Sequence, residues 1–193
     1  MKLVLVVLLV AALSACGLQG PAPAPNPAPP PGAQAVASNR AAGGDADGDL
    51  DATARAFVEL VIATDHQAVK LLDLGVAHAT SPGLRALAGE LAATRRAELS
   101  ELRGILDTAA IPYVDNHAGH DMPGMPTEAE LLALSSAPDF DAEFTRLARA
   151  HLTESATVAK SGASSITHGE AKAVAEAMVR ERSSALRSLD ALG

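Results

Sequence analysis

FVELVIATDHQAVKLLDLGVAHATSPGLRALAGELAATRRAELSELRGI, residues 57–105, decides the fold, because the chain contains it twice. A shift of 87 lays FTRLARAHLTESATVAKSGASSITHGEAKAVAEAMVRERSSALRSLDAL, residues 144–192, beneath it without a gap. Phe57 falls on Phe144, Leu60 on Leu147, Gly75 on Gly162, Thr80 on Thr167, Arg95 on Arg182 and Leu102 on Leu189. Alanine matches mean little in so Ala-rich a chain; the Phe, Gly and Arg matches mean a duplicated helical hairpin.

Within the first copy, Phe57, Val61, Ala68, Leu71, Leu72 and Val76 recur at three- and four-residue spacing, the period of a half-buried helix. The spacing predicts a helix over 51–79. Ser81-Pro82 opens a second helix, with serine as N-cap and proline in the first turn, and Ile111-Pro112 ends it near residue 110. Each helix is roughly 42 Å long at 1.5 Å per residue, and the short turn makes the two antiparallel. Thr127 and Glu130 have capping-box spacing and predict a short helix to about 135. A fourth helix follows over 139–166. Thr167 and Glu170 predict a second capping box and a fifth helix to about 192. Neither hairpin can bury its apolar face alone. The expected fold is all-α: a four-helix bundle of two duplicated hairpins (51–110 and 139–193), with a short extra helix in the connection 111–138.

Composition agrees. The chain is 48% hydrophobic but 2% aromatic, so its core is Ala, Leu and Val, which suits closely packed helices. No stretch alternates as a strand does. The net charge of -8 disfavours nucleic acid, whose phosphates require Lys and Arg.

The first residues are a targeting segment. Lys2 precedes an apolar run, Leu3 to Leu13, too short to span a bilayer as a helix. Leu13-Ser14-Ala15-Cys16 resembles a bacterial lipobox, which implies cleavage before Cys16, lipid on its sulfur and an exported protein held on a membrane in the cell envelope. Residues 1–15 are the expected signal peptide and 16–48 the tether. Pro21 to Pro31, PAPAPNPAPPP, favours extended polyproline II. The bundle domain is expected over 49–193. Asp45, Asp47, Asp49 and Asp51 alternate as in a calcium loop, but Leu50 and Ala56 stand where an EF-hand needs Gly and Glu.

Two groups of residues are candidates for chemistry. The connection reads HAGHDMPGM, with His117, His120, Met122 and Met125; imidazole with thioether suits soft or borderline metals, copper(I) above all. The second group lies inside the bundle. Heptad stripes place Phe57, Thr64, Leu71 and His78 together, and Phe144, His151, Val158 and Ser165 in the repeat. They turn His151 inward, and likewise Asp65 and Glu98, with Arg95 and Arg182 as repeat equivalents. This group reads either as a metal or proton site or as a self-satisfied network of Asp65 and Glu98 with Arg95 and Arg182. Two guanidiniums repel a cation, which favours the network. His66 shares a stripe with Glu59 and Asp73 and is expected to face solvent. A di-iron oxidoreductase needs Glu-x-x-His, which is absent, and no Gly-x-Ser-x-Gly or triad supports hydrolysis, so an enzyme is not expected.

From Phe57 to Leu192 the chain resembles a bacterial family catalogued as domain of unknown function 305, a ferritin-like bundle with CopM-type periplasmic copper-binding members. Phe57 and Phe144 match its phenylalanine. His120, Met122, Gly124, Met125, Thr127 and Leu131 match its central segment, Glu98-Leu99 its second-helix step, and His151 the first of a histidine pair. Thr64-Asp65 replaces the other histidine pair, Leu152 the second histidine of the matched one, and Arg95 and Arg182 replace glutamine. The resemblance implies the fold and a copper-linked role in the cell envelope, sequestration or tolerance; the candidate ligands are the matched His120, Met122, Met125 and His151, with His117 added from the donor types of the connection itself. A metal-free scaffold or partner-binding lipoprotein is the alternative.

Overall fold

Thr80 and Thr167, which the repeat makes equivalent, each reach into the other half of the molecule. Thr80 Oγ1 donates to Asp141 Oδ2 at 2.7 Å, and Thr167 Oγ1 donates to Asp51 Oδ2 at 3.1 Å. The contacts are described by a computed structural model covering residues 49–192. The expected signal peptide, the expected tether and Cys16 lie outside the described residues.

Five helices follow in order: α1 (Ala52–His78), α2 (Pro82–Thr108), α3 (Glu128–Leu134), α4 (Phe140–Ser165) and α5 (Gly169–Asp190). No strand occurs among the described residues. Their starts follow from local chemistry. Asp51 Oδ1 accepts from Ala54 N at 2.8 Å, Ser81 caps α2 ahead of Pro82, and Thr127 and Glu130 close their capping box at 3.2 and 3.0 Å. The second expected capping box does not form. Thr167 is engaged with Asp51, so the cap passes to His168, whose Nδ1 accepts from Ala171 N at 3.3 Å. Helix α2 ends in a Schellman motif: Ile111 N donates to Leu106 O at 2.9 Å and Ala110 N to Asp107 O at 3.0 Å. Ala110 adopts φ 53° there, a position that favours glycine.

Around the bundle the order is α2, α1, α4, α5. Phe57, near the start of α1, lies on Gly162, near the end of α4; Phe144 lies on Gly75. These two helices are therefore antiparallel. A Cβ at Gly162 would stand 2.6 Å from Phe57 Cε2, and one at Gly75 would stand 2.5 Å from Phe144 Cε2. Bare backbone is required at both places for the rings to seat.

Because α1 and α4 are antiparallel, the connection between α2 and α4 must run the length of the bundle, the single long crossover of ferritin-like topology. It contributes Leu131 and Leu134 to one apolar layer, with Leu71, Leu91, Phe144 and Leu152. Ile111 and Tyr113 pack on the other, which holds Phe57, Ile62, Leu102 and Met178. Between the layers, at mid-height, lie buried Asp65, Arg95, Glu98, His151, Ser155 and Arg182. His78 and Ser165, expected on inward stripes, are exposed at helix ends, and Val76 is 41% exposed. No described helix is long and apolar enough to cross a membrane.

Candidate functional site

The connection is built from two successive glycine turns. His120 N donates to His117 O at 3.0 Å across Ala118-Gly119, and Met125 N donates to Met122 O at 3.0 Å across Pro123-Gly124. Gly119 and Gly124 have φ 75° and 71°, the positive value a type II turn demands at its third position. Pro123 presets φ for the second position of its turn. A turn of this kind brings its first and last residues together. The connection thus pairs histidine with histidine and methionine with methionine.

The two pairs differ in setting. The imidazole centroids of His117 and His120 are 6.5 Å apart with the rings nearly perpendicular. Two imidazoles sharing one ion, with metal–nitrogen bonds of about 2.0 Å, have centroids no more than roughly 6.4 Å apart, so the pair as it stands lies just beyond that reach. His120 is exposed and His117 half-buried, and the His117 backbone N–H donates to Asp115 Oδ1 at 3.0 Å. Met125 is buried and Met122 half-buried. Both line a cleft of about 210 Å³ walled by Pro126, Glu130, Arg146 and Leu147. Among the described residues no three His, Cys, Asp or Glu side chains gather as a metal cluster.

Gly124 docks the connection on α4. A Cβ there would lie 2.5 Å from Glu154 Cβ and 2.9 Å from the Ala150 carbonyl. Its own carbonyl is 3.2 Å from His151 Nδ1. Burial, then the charges of Arg95 and Arg182, hold the His151 pKa well below the usual value, so the ring is neutral. Nδ1–H donates to Gly124, leaving Nε2 an acceptor that is buried and without a hydrogen-bond partner. The structure thus brings His151 to the connection, but its free nitrogen lies in the field of two guanidiniums.

The polar layer is an ion-pair network. Arg182 grips Glu98 in a fork, both bonds 2.7 Å, and its Nη1 also donates to Glu181 at 2.7 Å. Its Nη2 donates to Asp65 at 3.3 Å and its Nε to Ser155 Oγ at 3.3 Å. Arg95 donates to Glu181 at 3.0 Å and stands 3.6 Å from Asp65. Asp65, Arg95, Glu98 and Arg182 therefore meet, joined by Glu181, which the stripe analysis missed. Glu181 lies one residue from Arg182 on a neighbouring, partly exposed face, so no core periodicity marks it. Burial, then Glu98, push the Asp65 pKa well up. Burial would also raise Glu98, but the charge and hydrogen bonds of Arg182, with Arg95, hold it low. A proton retained on Asp65 leaves two guanidiniums facing two carboxylates, Glu98 and Glu181, which balances the layer.

His66 is half-buried rather than solvent-facing. The connection folds Tyr113 over it, centroids 6.2 Å apart, and Arg103 Nη2 lies 2.6 Å from its Nε2. Burial first, then Arg103, lower its pKa. Periodicity within one helix could not reveal a cover supplied by residue 113.

Residues 54–192 match the profile described as Domain of unknown function (DUF305). No curated protein matches the chain. Among solved structures, a putative secreted DUF305 protein from Streptomyces coelicolor is 25% identical, with TM-score 0.67 over 74% of this chain and 93% of that one. A DUF305 fragment from Deinococcus radiodurans is 20% identical, with TM-score 0.63 over 73% and 95%. CopM in its Cu(I)-bound form is 19% identical, with TM-score 0.63 over the same shares. These last two likenesses show the fold.

Proposed function

Since the chain belongs to the DUF305 family, we propose that it is a metal-binding helical protein of the cell envelope that takes copper(I), or a similarly soft ion, as cargo. The observation carrying this reading is the tandem pair of glycine turns, which sets His117 beside His120 and Met122 beside Met125. Thioether and neutral imidazole are soft, uncharged donors, so the ion is held modestly and exchangeably, as sequestration or tolerance requires. His151 enters as the residue that positions the connection, through the Gly124 carbonyl. The reading includes export and a lipid on Cys16, with the proline-rich tether as spacer, and a binding role rather than catalysis. That CopM is known in Cu(I)- and Cu(II)-bound forms supports copper as the ion to try first.

A second reading, a metal-free partner-binding lipoprotein, is supported by the polar layer, where Arg95 and Arg182 occupy the bundle interior and repel cations. A copper(I) competition titration against a chromophoric chelator separates the two. The parent is expected to bind. The variant with His117, His120, Met122 and Met125 all changed to alanine is expected to bind at least about a hundredfold more weakly, which corresponds to roughly 2.7 kcal/mol. Binding retained by the variant would move the site to the bundle around His151. No binding by either protein supports the second reading.

A further inference from the structure

The repeat makes the two ends of the seam between α2 and α5 equivalent, yet they are filled differently. Where α2 begins and α5 finishes, Leu192 lies on Gly83: a Cβ there would stand 2.6 Å from Leu192 Cδ2. The shift of 87 carries Gly83 to Glu170 and Ile105 to Leu192. At the opposite end, therefore, a glutamate side chain stands where the first end has bare backbone. The helices there leave a groove of about 490 Å³. Ile105, Val174, Ala173 and Ala177 give it an apolar lining, and nothing lies within 4 Å of where a Cβ on Gly104 would be. Glu101 and Glu170 are exposed on its rim. It shares Ile105, Thr108 and Glu170 with a cleft of about 300 Å³ that adds Leu50, Ile111 and Asp49. The joint lining carries three carboxylates and neither lysine nor arginine.

We propose that this groove docks a basic, amphipathic segment of a partner protein. A leucine-like side chain of the partner lies over Gly104, Ile105 and Val174, and its lysines or arginines meet Glu101, Glu170 and Asp49. Two observations choose this occupant. Ile105, Val174, Ala173 and Ala177 line the groove with apolar surface that suits an aliphatic side chain. The rim charge selects what flanks that side chain, since complementary charge guides docking and like charge opposes it. A second copy presenting the same acidic groove would set carboxylate against carboxylate, and an anionic lipid surface is repelled for the same reason. An apolar lining edged with charge that runs on into a second cleft suits an extended or helical segment better than a lone amine.

The test is fluorescence anisotropy of the full chain with a labelled amphipathic Lys/Leu peptide. A Lys/Gly peptide of equal charge and a Glu/Leu peptide are the comparators. The Lys/Leu peptide is expected to bind, the Lys/Gly peptide at least about tenfold more weakly, and the Glu/Leu peptide not at all. Gly104→Leu, which fills the groove, is expected to weaken Lys/Leu binding about tenfold, and so is Glu101→Gln with Glu170→Gln, which discharges the rim. The exposed double variant keeps the test decisive should Gly104→Leu fail to fold. The proposal is overturned by equal binding of the two basic peptides, by binding that both variants leave unchanged, or by no binding. Self-association of the parent that Gly104→Leu abolishes would give the groove to a second copy and overturn it too.

Discussion

Replacing Gly162 with alanine is expected to destabilise the domain, although alanine is the better helix former. The added Cβ would stand 2.6 Å from Phe57 Cε2 and 2.8 Å from Cδ2. Phe57 is only 7% exposed and its ring is rigid, so the ring or the helix must move. Overfilling a packed interior costs about 1–3 kcal/mol, and contacts this short with a rigid ring belong at the upper end. The helix propensity gained offsets about 1 kcal/mol of this. The net expectation is a loss of about 2 kcal/mol, or a Tm lower by about 4–8 °C for a domain of this size. Gly104→Ala is the matched control, because nothing lies within 4 Å of its Cβ position; it should gain about 0.5–1 kcal/mol from propensity alone. Urea denaturation of the parent, Gly162→Ala, Phe57→Leu and the double variant supplies a double-mutant cycle. The smaller leucine side chain should relieve the clash, giving a favourable coupling of about 1–2 kcal/mol. A Gly162→Ala protein as stabilised as Gly104→Ala, with no coupling to position 57, would refute the packing argument.

Other perturbations probe the polar layer and the helix ends. Arg182→Met leaves buried Glu98 without its main cation and removes a hydrogen-bond donor from Asp65; chemical denaturation should show a loss of about 3–5 kcal/mol, partly recovered by adding Glu98→Gln. His151 has a folded-state pKa depressed below its ordinary 6.5. Its contribution is therefore present above pH 6.5 and is lost as pH falls below that value towards the folded pKa. The raised Asp65 works in the opposite sense, its contribution present at low pH and lost as pH rises through its folded pKa. The Tm difference between parent and His151→Gln, followed from pH 8 to 5, isolates the histidine; a constant difference would contradict the assignment. Ala110→Gly, at φ 53°, should raise stability by about 1 kcal/mol in the same denaturation assay.

The helix count and most helix starts were legible because they rest on local signals: a 3.6-residue period, and caps within three residues of their donors. The Thr167 cap failed where a long-range partner, Asp51, drew the hydroxyl away from the local one. The constant offset matches Phe57 to Phe144 and Gly75 to Gly162, but an offset pairs equivalents, whereas packing crosses Phe57 with Gly162. At the site, stripes turned Asp65, Glu98 and His151 inward, with Arg95 and Arg182 as their cations, because burial follows periodicity. Glu181 escaped because it reaches the layer from a partly exposed face. The donor types in HAGHDMPGM could be read directly. Their sorting into a histidine turn and a methionine turn rests on two glycine dihedrals, and the docking on α4 rests on a contact between Gly124 and residues some thirty positions away.

Phe57 on Gly162 and Phe144 on Gly75 are one contact made twice. That is the signature of an isologous two-fold interface, the kind two identical hairpins form when they dimerise. Joining such hairpins in one chain replaces an association that depends on protein concentration with an internal one, at an effective concentration on the order of millimolar for a flexible link. The halves of this molecule therefore stay together at any dilution. The joining segment, which a dimer of separate hairpins would not possess, has no counterpart in the two-fold symmetry, so its turns could acquire histidine and methionine without a matching change in either hairpin.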